Sequence, residues 1–263
     1  MPRYDFRSPR LYVEGALAPG AEIALGKAQA HYLNNVLRLK SGDAVLLFNG
    51  RDGEWHATIS AGKRTVLAVG EQARKQTASP DLHYLFAPLK HERLDYMVQK
   101  AVEMGVSRLQ PVMTRHTQAA RVNLPRMRAN AIEAAEQCGI LSIAEIGEPI
   151  TFARAIAARK SDRLLVFCDE NADVKDPVAA LADARPPPTA MLPLTMAGAA
   201  ASAAAQPLAL LIGPEGGFSD DERATLLKQP NMVRLSLGPR ILRADTAAVA
   251  ALSLIQAMLG DWR

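Results

Sequence analysis

Aromatic side chains make up only 5% of this 263-residue chain, so a surface built mainly from rings that stack on bases is excluded as its principal device. Cysteine is nearly absent. Cys138 and Cys168 stand alone, with no CxxC or Cys/His ligand spacing. This excludes a disulfide framework and a zinc site, so no metal is expected and the reducing cytoplasm is the expected setting. The longest apolar tract, around residues 197–205, is alanine-rich and too short to cross a bilayer, and MPRYDFRSPR lacks the apolar core of a signal peptide. Neither G-x-x-x-x-G-K-[ST] nor G-x-G-x-x-G occurs, which removes the P-loop and the dinucleotide fingerprint.

What is present is enough to fold. Hydrophobic residues at 49% support a real core, so disorder is not expected. The formal charge of +4 and pI near 9.2 suit a polyanionic partner, but equally a plain soluble enzyme. The placement of charge says more: Lys90, Arg93, Lys100, Arg108, Arg115, Arg121, Arg126 and Arg128 fall close together in the chain.

The chain is organised around residues 208–257, where two apolar runs each end in a glycine-bearing loop and each loop opens a helix. Residues 208–212 form a continuous apolar run that suits a strand buried on both faces of a mostly parallel sheet. Gly213, Gly216 and Gly217 follow, and Ser219 with Glu222 stand at capping-box spacing. The plan then repeats, with a strand over 233–237, a loop over 238–244 and a helix from about Asp245 or Thr246. Val249, Leu252, Ile255 and Leu259 give that helix a core-facing stripe. Two such loops on one sheet edge face each other across a crevice, where open α/β sheets bind ligands.

Residues 1–72 read as short strands with polar turns at 11–13, 22–24, 44–48, 54–59 and 64–70, with one helix over 28–39. This pattern predicts a small barrel. Arg3, Arg7, Arg10, Arg38, Lys40 and Arg51 give it a basic character. Residues 73–81 read as a linker, and from 82 to 263 strands and helices alternate. That rhythm predicts a mainly parallel sheet covered by helices at about 92–105, 125–137, 151–159 and 177–184. Asp169 and Glu170, at the end of a buried strand over 164–168, are expected at the same edge as the glycine loops, with an exposed acidic turn as the alternative reading. Residues 185–207 break the rhythm and read as a flexible insertion.

GPEGGFSDDE followed by LSLGPRILRADTA resembles the RsmE family of methyltransferases, of the SPOUT superfamily, and HYLNNVLRLKSGD and QKAVEMGVSRLQPV extend the likeness along nearly the whole chain. The resemblance implies an α/β fold with a small N-terminal PUA-like β-barrel and a C-terminal SPOUT domain containing a deep trefoil knot. It further implies a homodimer that uses S-adenosyl-L-methionine to methylate N3 of a uridine in 16S rRNA of the small ribosomal subunit. One departure from the family is that Glu136-Gln137-Cys138-Gly139 runs directly into Ile140-Leu141.

On that reading the cofactor contacts come from Leu211, Ile212, Gly213, Glu215, Gly216, Gly217, Ser236, Leu237, Gly238, Ile241, Leu242 and Thr246. Uracil N3 carries a proton at neutral pH, so a base or a cation facing the developing anion is required. Glu215 and Asp245 are the candidate bases, while Arg243, with Arg240, is the candidate stabiliser. RNA is assigned to Arg7, Arg10, Arg38, Lys90, Arg93, Arg115 and Arg121. The competing readings are a SPOUT-type enzyme for another RNA and a noncatalytic RNA-binding protein. In the bland reading of the site, Glu215 and Asp245 cap helices and the arginines pair with them.

Overall fold

The computed structural model describes residues 8–60, 65–119, 121–173, 176–185 and 206–262. The chain divides into two compact units, one from Met1–Ala78 with Ile132–Ile143, the other from Ser79–Ala131 with Ala144–Arg263. The tract expected to be an insertion lies mostly outside the described residues.

The first unit is a five-stranded sheet of β1 (Arg10–Tyr12), β2 (Glu22–Ala24), β3 (Ala44–Phe48), β4 (Glu54–Ser60) and β5 (Val66–Arg74), ordered β1-β3-β4-β5-β2. Alternation along β4 sends Trp55, Ala57 and Ile59 inward and leaves His56, Thr58 and Ser60 in water, as period two demands. The turn between β3 and β4 needs glycine at Gly53, because a Cβ there would lie 2.3 Å from the Arg74 carbonyl oxygen at a φ of +83°.

The helix expected over 28–39 is shorter and changes type. α1 (Lys27–His31) passes into a π-helical turn over Tyr32–Val36, in which the Leu37 amide reaches back five residues to the Tyr32 carbonyl at 2.9 Å. That turn buries Leu33 completely among Leu11, Val45 and Leu67, and the chain leaves it through Arg38 at a φ of 56°. Residues 132–143 add three bonds to this unit. Tyr12 donates its amide to Glu136 at 2.8 Å, Arg74 reaches the Gly139 carbonyl at 3.0 Å, and Gln76 the Leu141 carbonyl at 3.4 Å. Burial raises the Glu136 carboxyl above its ordinary value, against the lowering pull of the Tyr12 amide.

The second unit is built on parallel pairs. Its strands are β6 (Leu82–Phe86), β7 (Arg108–Met113), β8 (Glu145–Ile146), β9 (Ile150–Thr151), β10 (Leu164–Cys168), β11 (Leu208–Ile212) and β12 (Met232–Leu235), in the order β12-β10-β11-β6-β7-β8, with β9 beside β7. β8 and β9 carry two residues each, too short for a periodic pattern to announce them. β11 is inserted between β6 and β10, and β12 lies on the far side of β10.

The helices are α2 (His91–Glu103), α3 (Leu124–Cys138), α4 (Phe152–Ala157), α5 (Pro177–Asp183), α6 (Asp220–Leu227) and α7 (Ala244–Met258). β10 and β11 are apolar throughout because both faces are covered. α7 packs against α2, α5 and β11, burying Ala248, Ala251, Leu252 and Ile255. At the amino-terminal edge of the sheet Arg163 holds Asp81 at 2.7 Å, and His83 stands 3.3 Å from the same carboxylate.

Candidate active site

Three neighbouring parallel strands, β10, β11 and β12, end at one edge, and the loops that follow them enclose a cleft of about 540 Å³. That is the size expected of a small-molecule site, and the carboxyl edge is where α/β sheets place one.

The first wall follows β10. The Asp169 carboxylate is 3% exposed and is gripped from two sides, by Arg223 of α6 at 3.0 Å and by Arg234 of β12 at 2.8 Å. The carboxylate also accepts the Asn171 amide at 3.1 Å, while the Asp169 amide reaches across to the Leu235 carbonyl of β12 at 3.1 Å. Burial pushes the acid upward, but hydrogen bonds from Arg223 and Arg234 outweigh it and hold the carboxyl below the usual range. Asp169 therefore fixes the strand-end loop of β10 to its neighbours. Glu170, next in the chain, leans over the first glycine loop, with its carboxylate 3.3 Å from where a Cβ on Gly217 would stand.

The second wall follows β11. Gly213 leaves room for Phe218 to fold back under the loop, since an added Cβ would meet that ring at 2.6 Å. The Phe218 ring meets Phe167 edge-on at 5.2 Å, anchoring the loop in the core. Gly217 at φ 71° closes the turn by donating to the Pro214 carbonyl at 2.9 Å. Ser219 and Glu222 then form the capping box that their spacing predicts, starting α6.

The third wall follows β12. The expected strand over 233–237 stops at Leu235, because its partner β10 ends at Cys168, and Ser236 and Leu237 become loop. Ile241 is 92% exposed at the tip of this loop. Arg243 stands at the N-cap of α7 without a side-chain cap bond.

Most residues expected at the cofactor come together here. Ile212, Gly213, Glu215, Gly217, Ser236, Leu237, Gly238, Ile241 and Leu242 line the cleft. Leu211 lies beneath it in the core, 1% exposed, and Gly216 and Thr246 are outside the lining. Arg240, Arg243 and Glu215 also line the cleft, whereas Asp245 does not. Neither acid caps a helix in the way the bland reading requires. Glu215 forms an ion pair with Arg93, and Asp245 accepts the amide of Thr246, the next residue, at 2.8 Å inside the first turn of α7.

The residues assigned to RNA divide. Arg10 is turned inward, 8% exposed, and bonded to Glu54 at 3.0 Å, so its guanidinium is not at the surface. Arg7 lies outside the described residues. Arg38, Lys90, Arg115 and Arg121 are exposed. Arg223 and Arg234 went unnoticed in the sequence. Arg234 had a signal, a charge inside the apolar strand MVRL, which demands a buried partner; Arg223 looks like any solvated helix residue.

Residues 76–256 match the RNA methyltransferase domain family, and residues 25–69 match the RNA methyltransferase PUA domain family. The chain is 30% identical over 255 residues to ribosomal RNA small subunit methyltransferase E of Rickettsia conorii, covering 96% of each. The enzyme of the same name from Buchnera aphidicola (Acyrthosiphon pisum) is 28% identical over 265 residues, with 97% of this chain and 95% of the relative covered. Among solved structures, a methyltransferase from Legionella pneumophila in complex with bound SAM superposes with a TM-score of 0.76 at 29% identity, covering 95% of this chain and 98% of that one. Ribosomal RNA small subunit methyltransferase E from Neisseria gonorrhoeae, at 23% identity, shares the fold with a TM-score of 0.80, covering 98% of this chain and all of its own.

Proposed function

Since this chain belongs to the ribosomal RNA small subunit methyltransferase E family, we propose that it transfers a methyl group from S-adenosyl-L-methionine to N3 of a uridine in 16S rRNA. The observation that carries this is the cleft itself, where three strand-end loops meet on a chain 29% identical to a protein solved with SAM.

The residues fit such a group. Ile212, Leu237 and Leu242 give the cleft apolar surface for an adenine ring, and the two glycine-bearing loops bring backbone donors and acceptors to its edge. Glu170 and Glu215 line the cleft as carboxylates suited to a sulfonium charge. When bound, the cofactor supplies an already activated methyl group.

The chain's own tasks are then alignment, water exclusion and management of one proton. Glu215 is the base that takes the N3 proton of uracil. Arg243, with Arg240 beside it in the lining of the cleft, faces the negative charge that develops on the uracil carbonyl oxygens. Asp245, outside the lining, supports the start of α7 instead. Exposed Arg38, Arg115 and Arg121 meet RNA phosphates, with the first unit, residues 1–72 in the expected division, serving as the PUA-like RNA-binding barrel. The reading includes a homodimer acting on the small ribosomal subunit in the cytoplasm.

Calorimetry tests the cofactor half of this reading. S-adenosylmethionine should bind and ATP compete poorly; no heat with S-adenosylmethionine would leave a noncatalytic RNA-binding protein.

A further inference from the structure

We propose that a second cavity, beside the cofactor cleft, is the seat of the nucleotide that accepts the methyl group; this rests on the methyltransferase reading above. The cavity measures about 320 Å³, and its polar lining comes from Lys90, Arg93, His116, Gln118 and Glu215. Pro88 and Leu89 supply an apolar wall.

Adjacency is the first argument. Methyl transfer is a direct displacement, so the attacking nitrogen must come within about 3–3.5 Å of the methyl carbon before reaction. An acceptor site must therefore share a wall with the donor site. These two cavities share Arg93, Pro214 and Glu215.

Chemistry is the second. Uracil presents an N–H between two carbonyl oxygens, which a carboxylate beside a guanidinium complements. The Arg93–Glu215 ion pair at the common wall is such a combination. Bound uracil would exchange that ion pair for its own bonds, N3–H donating to the Glu215 carboxylate and a carbonyl oxygen accepting from the Arg93 guanidinium. Lys90, exposed at the rim, suits the phosphate of the same nucleotide. Leu89, 7% exposed, lines the cavity with an apolar side chain against which the ring can pack.

The third is that the far wall is already built. The segment after β7 is folded on itself by Thr114, whose amide donates to the Thr117 hydroxyl at 2.9 Å. It is then fastened to the first glycine loop: the Arg115 amide donates to Glu222 at 2.8 Å, and the His116 ring nitrogen bonds the Gly217 carbonyl at 3.1 Å. His116 and Gln118 thus face the ion pair from a segment tied to the loop that also bounds the donor cleft. Glu222 joins the two, using one oxygen for its capping box and the other for Arg115.

Steady-state kinetics on small ribosomal subunits lacking the modification separate this seat from the cofactor site. Lys90→Glu should raise KM for the subunits roughly ten-fold and Gln118→Ala several-fold, whereas the Kd for S-adenosylmethionine by calorimetry stays within about two-fold. Lys90→Arg should restore KM. In Lys90→Ala the slope of log KM against log salt should fall by about one, as expected when one phosphate contact is lost. An unchanged KM in Lys90→Glu and Gln118→Ala, with an active wild type, would overturn the seat and leave the methyltransferase reading standing. A parallel loss of cofactor affinity in those variants would also overturn it. Wild-type protein that neither binds the cofactor nor transfers methyl would overturn both.

Discussion

Asp169, in the loop that follows β10, and Arg234, on the neighbouring strand β12, form an ion pair in which the carboxylate receives the guanidinium at 2.8 Å, with Arg223 of α6 closing on the same carboxylate at 3.0 Å. This triad ties the loop after β10 to β12 and to α6, and Asp169 and Arg223 line the cleft.

Asp169→Ala leaves two guanidinium groups with no acid between them. Breaking a buried ion pair from one side costs about 3–5 kcal/mol, and the partial exposure of both arginines brings the expectation to about 2–3 kcal/mol. Denaturant unfolding should show that loss, with cofactor affinity reduced alongside. Unchanged stability would mean that the triad holds nothing.

Gly213→Ala places a methyl group 2.6 Å from the Phe218 ring, which cannot move without losing its seat against Phe167. Overpacking of this kind costs about 1–3 kcal/mol, and a displaced loop should weaken cofactor binding at least roughly ten-fold. Calorimetry on a variant that still melts cooperatively decides the point; wild-type affinity would show the loop to be more pliable than described.

Acid should weaken the second unit through His83. Burial, then the nearby Arg163 charge, lowers this imidazole to about 4 against the opposing pull of Asp81. The unfolded chain therefore takes up a proton near the ordinary histidine value of about 6.5 while the folded chain does not. The stabilisation is complete above pH 6.5 or so and is lost as pH falls toward about 4. With the ring partly exposed, its share is about 1–2 kcal/mol. His83→Gln should flatten the stability profile in that window; an identical slope would contradict the assignment.

Arg243→Ala should abolish methyl transfer, lowering kcat at least roughly a hundred-fold, the typical cost of removing one group that stabilises developing charge. Stability should hardly change, since the side chain is exposed and makes no cap bond. Glu215→Gln should cost far more activity than Asp245→Asn, because only Glu215 lines the cleft. Full activity in Arg243→Ala, or the reverse order of the two acids, would remove the corresponding role.

The parts of this molecule that were legible in the sequence are those governed by local rules. Continuous apolar runs marked β10 and β11, the Ser219–Glu222 spacing marked α6, and glycines after strands marked the cleft. What escaped depends on partners distant in the chain. Arg10 looked like a basic surface residue, yet Glu54 draws it into the interior. Asp169 looked like a turn acid until Arg223 and Arg234 closed on it. The π-helical turn was hidden because its purpose, placing Leu33 in the core, is set by β1, β3 and β5 rather than by residues 28–39 themselves.

Small ribosomal subunits from a strain lacking the modification, incubated with this protein and S-adenosylmethionine carrying a labelled methyl group and then mapped nucleotide by nucleotide, give the most direct test. The label should appear on N3 of a single uridine of 16S rRNA. Label on a ribose or a different base, or none at all, would contradict the assignment.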